Sequence, residues 1–195
     1  MRLEKFNTLV SYKGLKTFDC GNDMIHTFVK KSLKKRVKKH FSQAYVLLEN
    51  EIFVGFYTLD TFSIARDTFD TENRPSGLPP IVSVVKLGML GVDKKIQAQG
   101  IGKRLLRDAM LKVVHISELA GCTGLYLLAE VEAIEFYKAL GFKSLKESSP
   151  LPMFLHIETI INSMNATDYL MKSLVNKDRL LKSIEQLKLS KGNNK

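Results

Sequence analysis

Between Ile81 and Ala120 an apolar strand pattern runs into a glycine-rich loop, and the loop opens directly onto an amphipathic helix. A strand–loop–helix unit of this kind needs a central sheet on which to bury the helix, so it restricts the chain to an α/β or α+β architecture. Ile81–Val92 reads as the strand, with Gly88 and Gly91 interrupting its end. Glycine inside a strand marks a bulge or a close approach of backbone to a ligand. The helix opens near Gly100-Ile101-Gly102 and continues through Leu105, Leu106, Ala109, Met110 and Val113 towards Ala120, with Gly121 as a suitable stop.

The loop itself has the chemistry of a phosphate site. A helix start carries unpaired N–H groups and a partial positive charge, both suited to a pyrophosphate. Glycine lets those amides approach without a Cβ in the way. Gln97, Ala98, Gln99, Gly100, Ile101, Gly102 and Lys103 are therefore candidate ligand-binding residues, and Lys103 and Arg104 add charge. The loop is neither of the two best-known phosphate loops. Arg104 follows Gly102-Lys103 where a Walker loop requires Ser or Thr, and the third glycine of a dinucleotide loop is absent. On these residues alone, a plain glycine-rich helix cap remains the alternative.

Elsewhere, residues 22–40 read as a helix capped by Asn22 or Asp23, with Ile25, Phe28, Val29, Ser32, Leu33 and Val37 at helical spacing. Residues 44–48 and 52–59 read as an antiparallel hairpin around Glu49-Asn50-Glu51. Residues 66–80 form a polar loop, 125–129 a buried strand, 132–140 a short helix and 153–161 a last strand. An amphipathic C-terminal helix over 166–189 follows, then a disordered tail. The expected division is a domain at 1–162, a helical extension at 163–190 and a tail at 191–195.

Charge bears on the partner. Thirty Lys+Arg against twenty Asp+Glu give a net +10, which attracts polyanions. Lys30, Lys31, Lys34, Lys35, Arg36 and Lys38 crowd onto the polar side of the first helix and are candidate nucleic-acid contacts. A solvated helix face is the alternative. No apolar run approaches the roughly 20 residues a membrane-spanning helix needs, and the start of the chain lacks a secretory pattern. Cys20 and Cys122 lack metal-type spacing, so two free thiols, a cytoplasmic location and no metal are expected.

Taken together, Leu90-Gly91-Val92-Asp93, then Gln97-x-x-Gly100-x-Gly102, then Ala133-x-x-Phe136-Tyr137-x-x-x-Gly141-Phe142 resemble the signature of the GNAT acetyltransferase superfamily over about residues 15–160. The resemblance implies a GNAT fold: a central mixed, mostly antiparallel sheet flanked by helices. It implies acetyl-CoA as co-substrate, with Leu90, Gly91 and Val92 beside the pantetheine arm and residues 97–103 on the pyrophosphate. It also implies Tyr137 as general acid at the coenzyme sulfur. The segments Phe18-Asp19-Cys20-Gly21-Asn22, Val54-Gly55-Phe56-Tyr57 and Leu87-Gly88-x-Leu90 are similar to acetyltransferase toxins of bacterial toxin–antitoxin pairs. Met89 stands where those toxins commonly carry arginine, and Gly91 where they carry alanine. That narrower resemblance implies acetylation of the α-amine of aminoacyl-tRNA, and neutralisation by a ribbon-helix-helix antitoxin. A small amine, an antibiotic or a protein N-terminus is the alternative acceptor, and an interaction module without catalysis is the non-enzymatic one. A homodimer is compatible with the final helix. An α-amine titrates well below a lysine side chain, so the tRNA acceptor needs no strong base. Glu130, Glu132 and His115 are base candidates with no spacing that selects among them.

Overall fold

In the computed structural model, residues 1–69 and 74–164 are described. Residues 1–157 form one compact unit, and a second begins at Glu158. The elements run β1 (Arg2–Lys5), α1 (Asp23–Lys31), α2 (Leu33–Lys38), β2 (Gln43–Glu49), β3 (Ile52–Ala65), β4 (Ile81–Val92), α3 (Ile101–Ala120), β5 (Gly124–Ala129), α4 (Ile134–Lys138), β6 (Lys143–Ser144), β7 (Leu151–His156) and α5 (Ile157–Ser163). The seven strands make one sheet in the order β1-β2-β3-β4-β5-β7-β6. Every neighbouring pair is antiparallel except β4–β5. The expected mixed, mostly antiparallel architecture is the one found.

Local chemistry sets the connections. Asn50 and Glu51 both take positive φ in the β2–β3 turn, the geometry that a tight hairpin of twisted strands requires. One face of the sheet buries Phe18, Leu33, Phe53 and Phe56 with α1 and α2. The opposite face carries α3, whose Leu105, Leu106, Ala109 and Val113 are fully or almost fully buried. Gly55 belongs to this packing, because a Cβ there would stand 3.3 Å from both Leu105 Cδ1 and the Gly91 carbonyl.

Three expectations are corrected. The helix expected over 22–40 is two, broken at Ser32. Val29, Leu33 and Val37 are spaced by four, and each such step rotates a straight helix by roughly 40°. The break allows all three to be buried. The last strand ends at His156, whose partner Gly124 is the first residue of β5. With no further strand to pair, Ile157 gives its N–H to the Thr123 carbonyl, and residues 157–163 are helical. The helix expected over 132–140 is a single turn at Val131–Ala133 followed by the shorter α4. The strands β1 and β6 add to the expected set. The expected C-terminal helix over 166–189 and the tail lie outside the described residues, as does part of the 66–80 loop.

Candidate active site

The sheet opens at its one parallel seam. β4 and β5 pair only from Val85 to Leu87 and from Leu125 to Leu127. Beyond that, β4 stays with β3 as far as Val92, and β5 stays with β7 as far as Ala129. The two strands therefore part. Met89 donates its N–H to Thr58 Oγ1 at 3.0 Å, and Asp93 donates to the Val54 carbonyl at 2.8 Å. Backbone groups alternate along a strand, so those of Leu90 and the N–H of Val92 face the opening instead, while the Val92 carbonyl is taken by Gln97 Nε2. An extended ligand arm laid there can pair with Leu90 as a missing strand would.

The opening leads into a cavity of about 740 Å³. Leu90, Gly91, Val92, Gln97, Ala98, Gly100, Ile101, Gly102, Lys103 and Tyr137 line it, so the two halves of the sequence pattern meet at one place. Gln99 does not line it. The glycine loop turns through positive φ at Ala98 and Gly100. The first helical hydrogen bond of α3 runs from Arg104 N–H to the Gly100 carbonyl at 3.1 Å. The N–H groups of Ile101, Gly102 and Lys103 thus precede the helical ladder and remain for an anion. Gly102 faces Phe136, whose Cζ lies 3.7 Å from where a Cβ would be. A cavity of this size with amides at one end, apolar walls and an open strand edge fits a phosphorylated, pantetheine-like coenzyme.

Gln97 acts by its side chain in a way the loop motif does not announce. Its Nε2 donates to the Val92 and Cys20 carbonyls, each at 2.9 Å, and so braces the loop against β4 and the entry to α1. Lys94 repeats the link, with its N–H on the Asp19 carbonyl at 2.8 Å and its Nζ 2.6 Å from Asp19 Oδ2. The amide nitrogen of Gln97 is thereby committed to structure.

Tyr137 stands on α4 between Phe136 and Phe142, with edge-on ring contacts at 5.1 and 5.4 Å. Burial pushes its phenol up to about 12, so at neutral pH it is a protonated donor. Glu130 and Glu132 line the cavity. His115 does not: it is exposed on α3, with Nδ1 3.7 Å from Glu118.

Of the basic segment, Lys30, Lys31, Lys34, Lys35 and Lys38 are exposed. Arg36 is turned inward instead, its Nε 3.0 Å from Ser42 Oγ and its Nη2 3.4 Å from Asp60 Oδ2. The same helical layer meets the cavity through Asn22, Met24 and Ile25, none of which the sequence patterns marked as a site residue. No helix among the described residues is long and apolar enough to cross a membrane, and they include no His/Cys/Asp/Glu group able to hold a metal.

Residues 40–144 match the family model of the acetyltransferase (GNAT) domain. A probable toxin TacT of Sinorhizobium fredii is 29% identical over 160 residues, 75% of this chain and 87% of that protein. A tRNA-acetylating toxin of Mycobacterium tuberculosis is 29% identical over 140 residues, 71% of this chain and 83% of that protein. A bacterial toxin crystal structure superposes with a TM-score of 0.80 at 33% identity, covering 83% of this chain and 93% of that one. AtaT complexed with acetyl-methionyl-tRNAfMet gives 0.74 at 27% identity, covering 82% and 96%. A mutant AtaT toxin bound to the C-terminus of the antitoxin AtaR and acetyl-CoA gives 0.71 at 26% identity, covering 84% and 98%.

Proposed function

Because the chain belongs to the GNAT acetyltransferase family, we propose that it moves an acetyl group from acetyl-CoA to the α-amine of an aminoacyl-tRNA and so blocks translation as a toxin. The observation that carries this reading is an open β4 edge at a cavity that also meets the start of α1 through Asn22, Met24 and Ile25, the helical layer whose later turns expose Lys30, Lys31, Lys34, Lys35 and Lys38. The relatives supply the acceptor: one is a tRNA-acetylating toxin, and another is complexed with an acetylated aminoacyl-tRNA. An antitoxin partner follows from the AtaT–AtaR complex, and a cytoplasmic site of action from the substrate.

In this mechanism the amides of Ile101, Gly102 and Lys103 hold the pyrophosphate. Leu90 and Val92 pair with the pantetheine arm and orient the thioester carbonyl, and their free N–H groups offer charge stabilisation as its oxygen becomes anionic. The neutral amine attacks the carbonyl carbon and forms the C–N bond. Tyr137 gives its phenolic proton to the sulfur as the C–S bond breaks, which spares the site a bare thiolate. Lys30, Lys31, Lys34, Lys35 and Lys38 meet tRNA phosphates, while Arg36 contributes from its partly inward position. Holding both reactants in one geometry supplies much of the remaining rate.

The test is incubation with radiolabelled acetyl-CoA and total aminoacylated tRNA, with Tyr137→Phe as control. Label entering the tRNA fraction with the wild type alone is the expected result, matched by growth arrest on expression that the mutant relieves. Coenzyme binding with unlabelled tRNA would leave an acetyltransferase and remove the tRNA reading.

A further inference from the structure

Beside the cavity a register row crosses three strands: Asp60 pairs with Lys86, and Lys86 with Tyr126. The Asp60 carboxylate turns to Arg36 of α2 at 3.4 Å rather than to Lys86, which puts the row on the side of the lysine-bearing helices. Residues two apart on a strand share a face, so Phe62 joins this side from β3 and Leu128 continues it on β5. Gly88 points the same way, since a Cβ there would meet Asp60 Oδ2 at 3.1 Å. Gly88 and Leu128 both line the cavity. Lys86 and Tyr126 therefore stand one two-residue step, ~7 Å, from its edge. Phe62 lies over this row. Its ring stacks on Tyr126, with centroids 5.4 Å apart and 20° between the planes, and Lys86 Nζ is over the ring at 5.1 Å from its centroid. Tyr126 is buried in a cluster with Val84 and Phe154, whereas Phe62 stays 42% exposed. An open aromatic ring with an ammonium group beside it has the chemistry that holds a nucleotide: base on the ring, phosphate on the cation.

We propose that Phe62 and Lys86 seat the 3′-terminal nucleotide of the acceptor tRNA, resting on the functional reading above and naming the part of the tRNA that meets this face. The terminal adenine stacks on the outer side of Phe62, with Tyr126 as its backing. Lys86, on its long stem, exchanges the ring for the nucleotide's phosphate. An ester and one ribose separate that base from the reacting α-amine, a span comparable with the step from this row to the cavity edge. A seated base thus delivers the aminoacyl group at Gly88 and Leu128, where β4 and β5 begin to part. The exposed lysines of α1 and α2 lie on the same side and meet phosphates further along the acceptor stem. Stacking takes no account of the amino acid, so the seat fixes where the amine goes without selecting what it belongs to. Both residues bind and orient the acceptor, and neither moves a proton.

The experiment uses the full-length protein, radiolabelled acetyl-CoA and total aminoacylated tRNA with the wild type, Phe62→Leu, Phe62→Tyr and Lys86→Ala. Phe62→Leu keeps an apolar cover on Tyr126 but removes the ring. It should raise the tRNA KM by roughly 10-fold or more, with acetyl-CoA affinity and Tm unchanged. Phe62→Tyr, which keeps a ring, should stay near the wild type. Lys86→Ala should raise the tRNA KM and flatten the dependence of log affinity on log salt by ~0.7, the share of one single-strand phosphate. A photoreactive phenylalanine analogue placed at position 62 should crosslink to the 3′-terminal nucleotide. A wild-type tRNA KM in Phe62→Leu would overturn the proposal, and so would crosslinks confined to the body of the tRNA. A raised KM that tracks a fall in Tm or coenzyme affinity, without the terminal crosslink, would also overturn it, since Phe62 would then only cover Tyr126. A wild type that labels no tRNA would instead sink the functional reading, and this assignment with it.

Discussion

Tyr137, the proposed acid, keeps its proton through burial: low dielectric disfavours the phenolate. Tyr137→Phe should lower the acyl-transfer rate by roughly 100- to 10,000-fold, measured by single turnover, and leave acetyl-CoA affinity intact. The same burial has a stability consequence with a definite sign. A folded pKa raised above the unfolded value near 10 gives a contribution fully present below pH 10 and lost as pH rises towards 12. A shift of this size corresponds to ~3 kcal/mol. Alkaline unfolding should therefore show wild type and Tyr137→Phe converging in pH dependence below pH 10, with the wild type falling more steeply above it. Gly88 is constrained from the other direction. A methyl group there drives into Thr58 Oγ1, which is itself held by the Met89 N–H. Gly88→Ala should cost about 1–3 kcal/mol in chemical denaturation, and it should lower turnover by more than that loss of stability accounts for.

At the level of elements, the short-range signals were legible and the long-range ones were not. The glycine loop, the helix after it and the β4 strand are encoded in contiguous residues, and they stand where the pattern puts them. Tyr137, singled out by its motif, lines the cavity. β1 was missed because Arg2–Lys5 has no periodicity of its own and is a strand only through its ladder with β2. The β-branched-rich stretch Ile157–Ile161 has good strand propensity, but tertiary context overrides it where β5 offers no further partner. The inward turn of Arg36 could not be found from sequence: its partners Ser42 and Asp60 are brought to it only by the fold. The exposed lysines of α1 and α2 make a prediction of their own. Replacing Lys31, Lys34, Lys35 and Lys38 by alanine should raise the tRNA KM. It should also flatten the dependence of log affinity on log salt by ~0.7–0.9 for each phosphate that the protein no longer neutralises, as read by binding titrations between low and moderate salt.

Across the whole unit, the sheet is continuous except at the seam between β4 and β5, where three residue pairs hold two halves of the structure together. On one side stand β1 to β4 with the first two helices, and on the other β5, β6 and β7 with α4. The proposed coenzyme site spans that seam, with amides from the start of α3, backbone from β4 and the phenol from α4. A ligand bound there acts as a strand inserted between the halves, so it should stabilise the fold beyond its immediate contacts. At a hundred times its dissociation constant, acetyl-CoA should add ~2.7 kcal/mol, which for a chain of this length is a rise in Tm of roughly 5–11 °C. Hydrogen exchange should slow most at Leu90, Val92 and the first turn of α3, and also along β5, which the ligand ties back to β4. A rise in Tm with protection confined to the first turn of α3 would mean that the pyrophosphate loop alone binds. The parted strands would then be a feature of the sheet rather than the bed of the coenzyme.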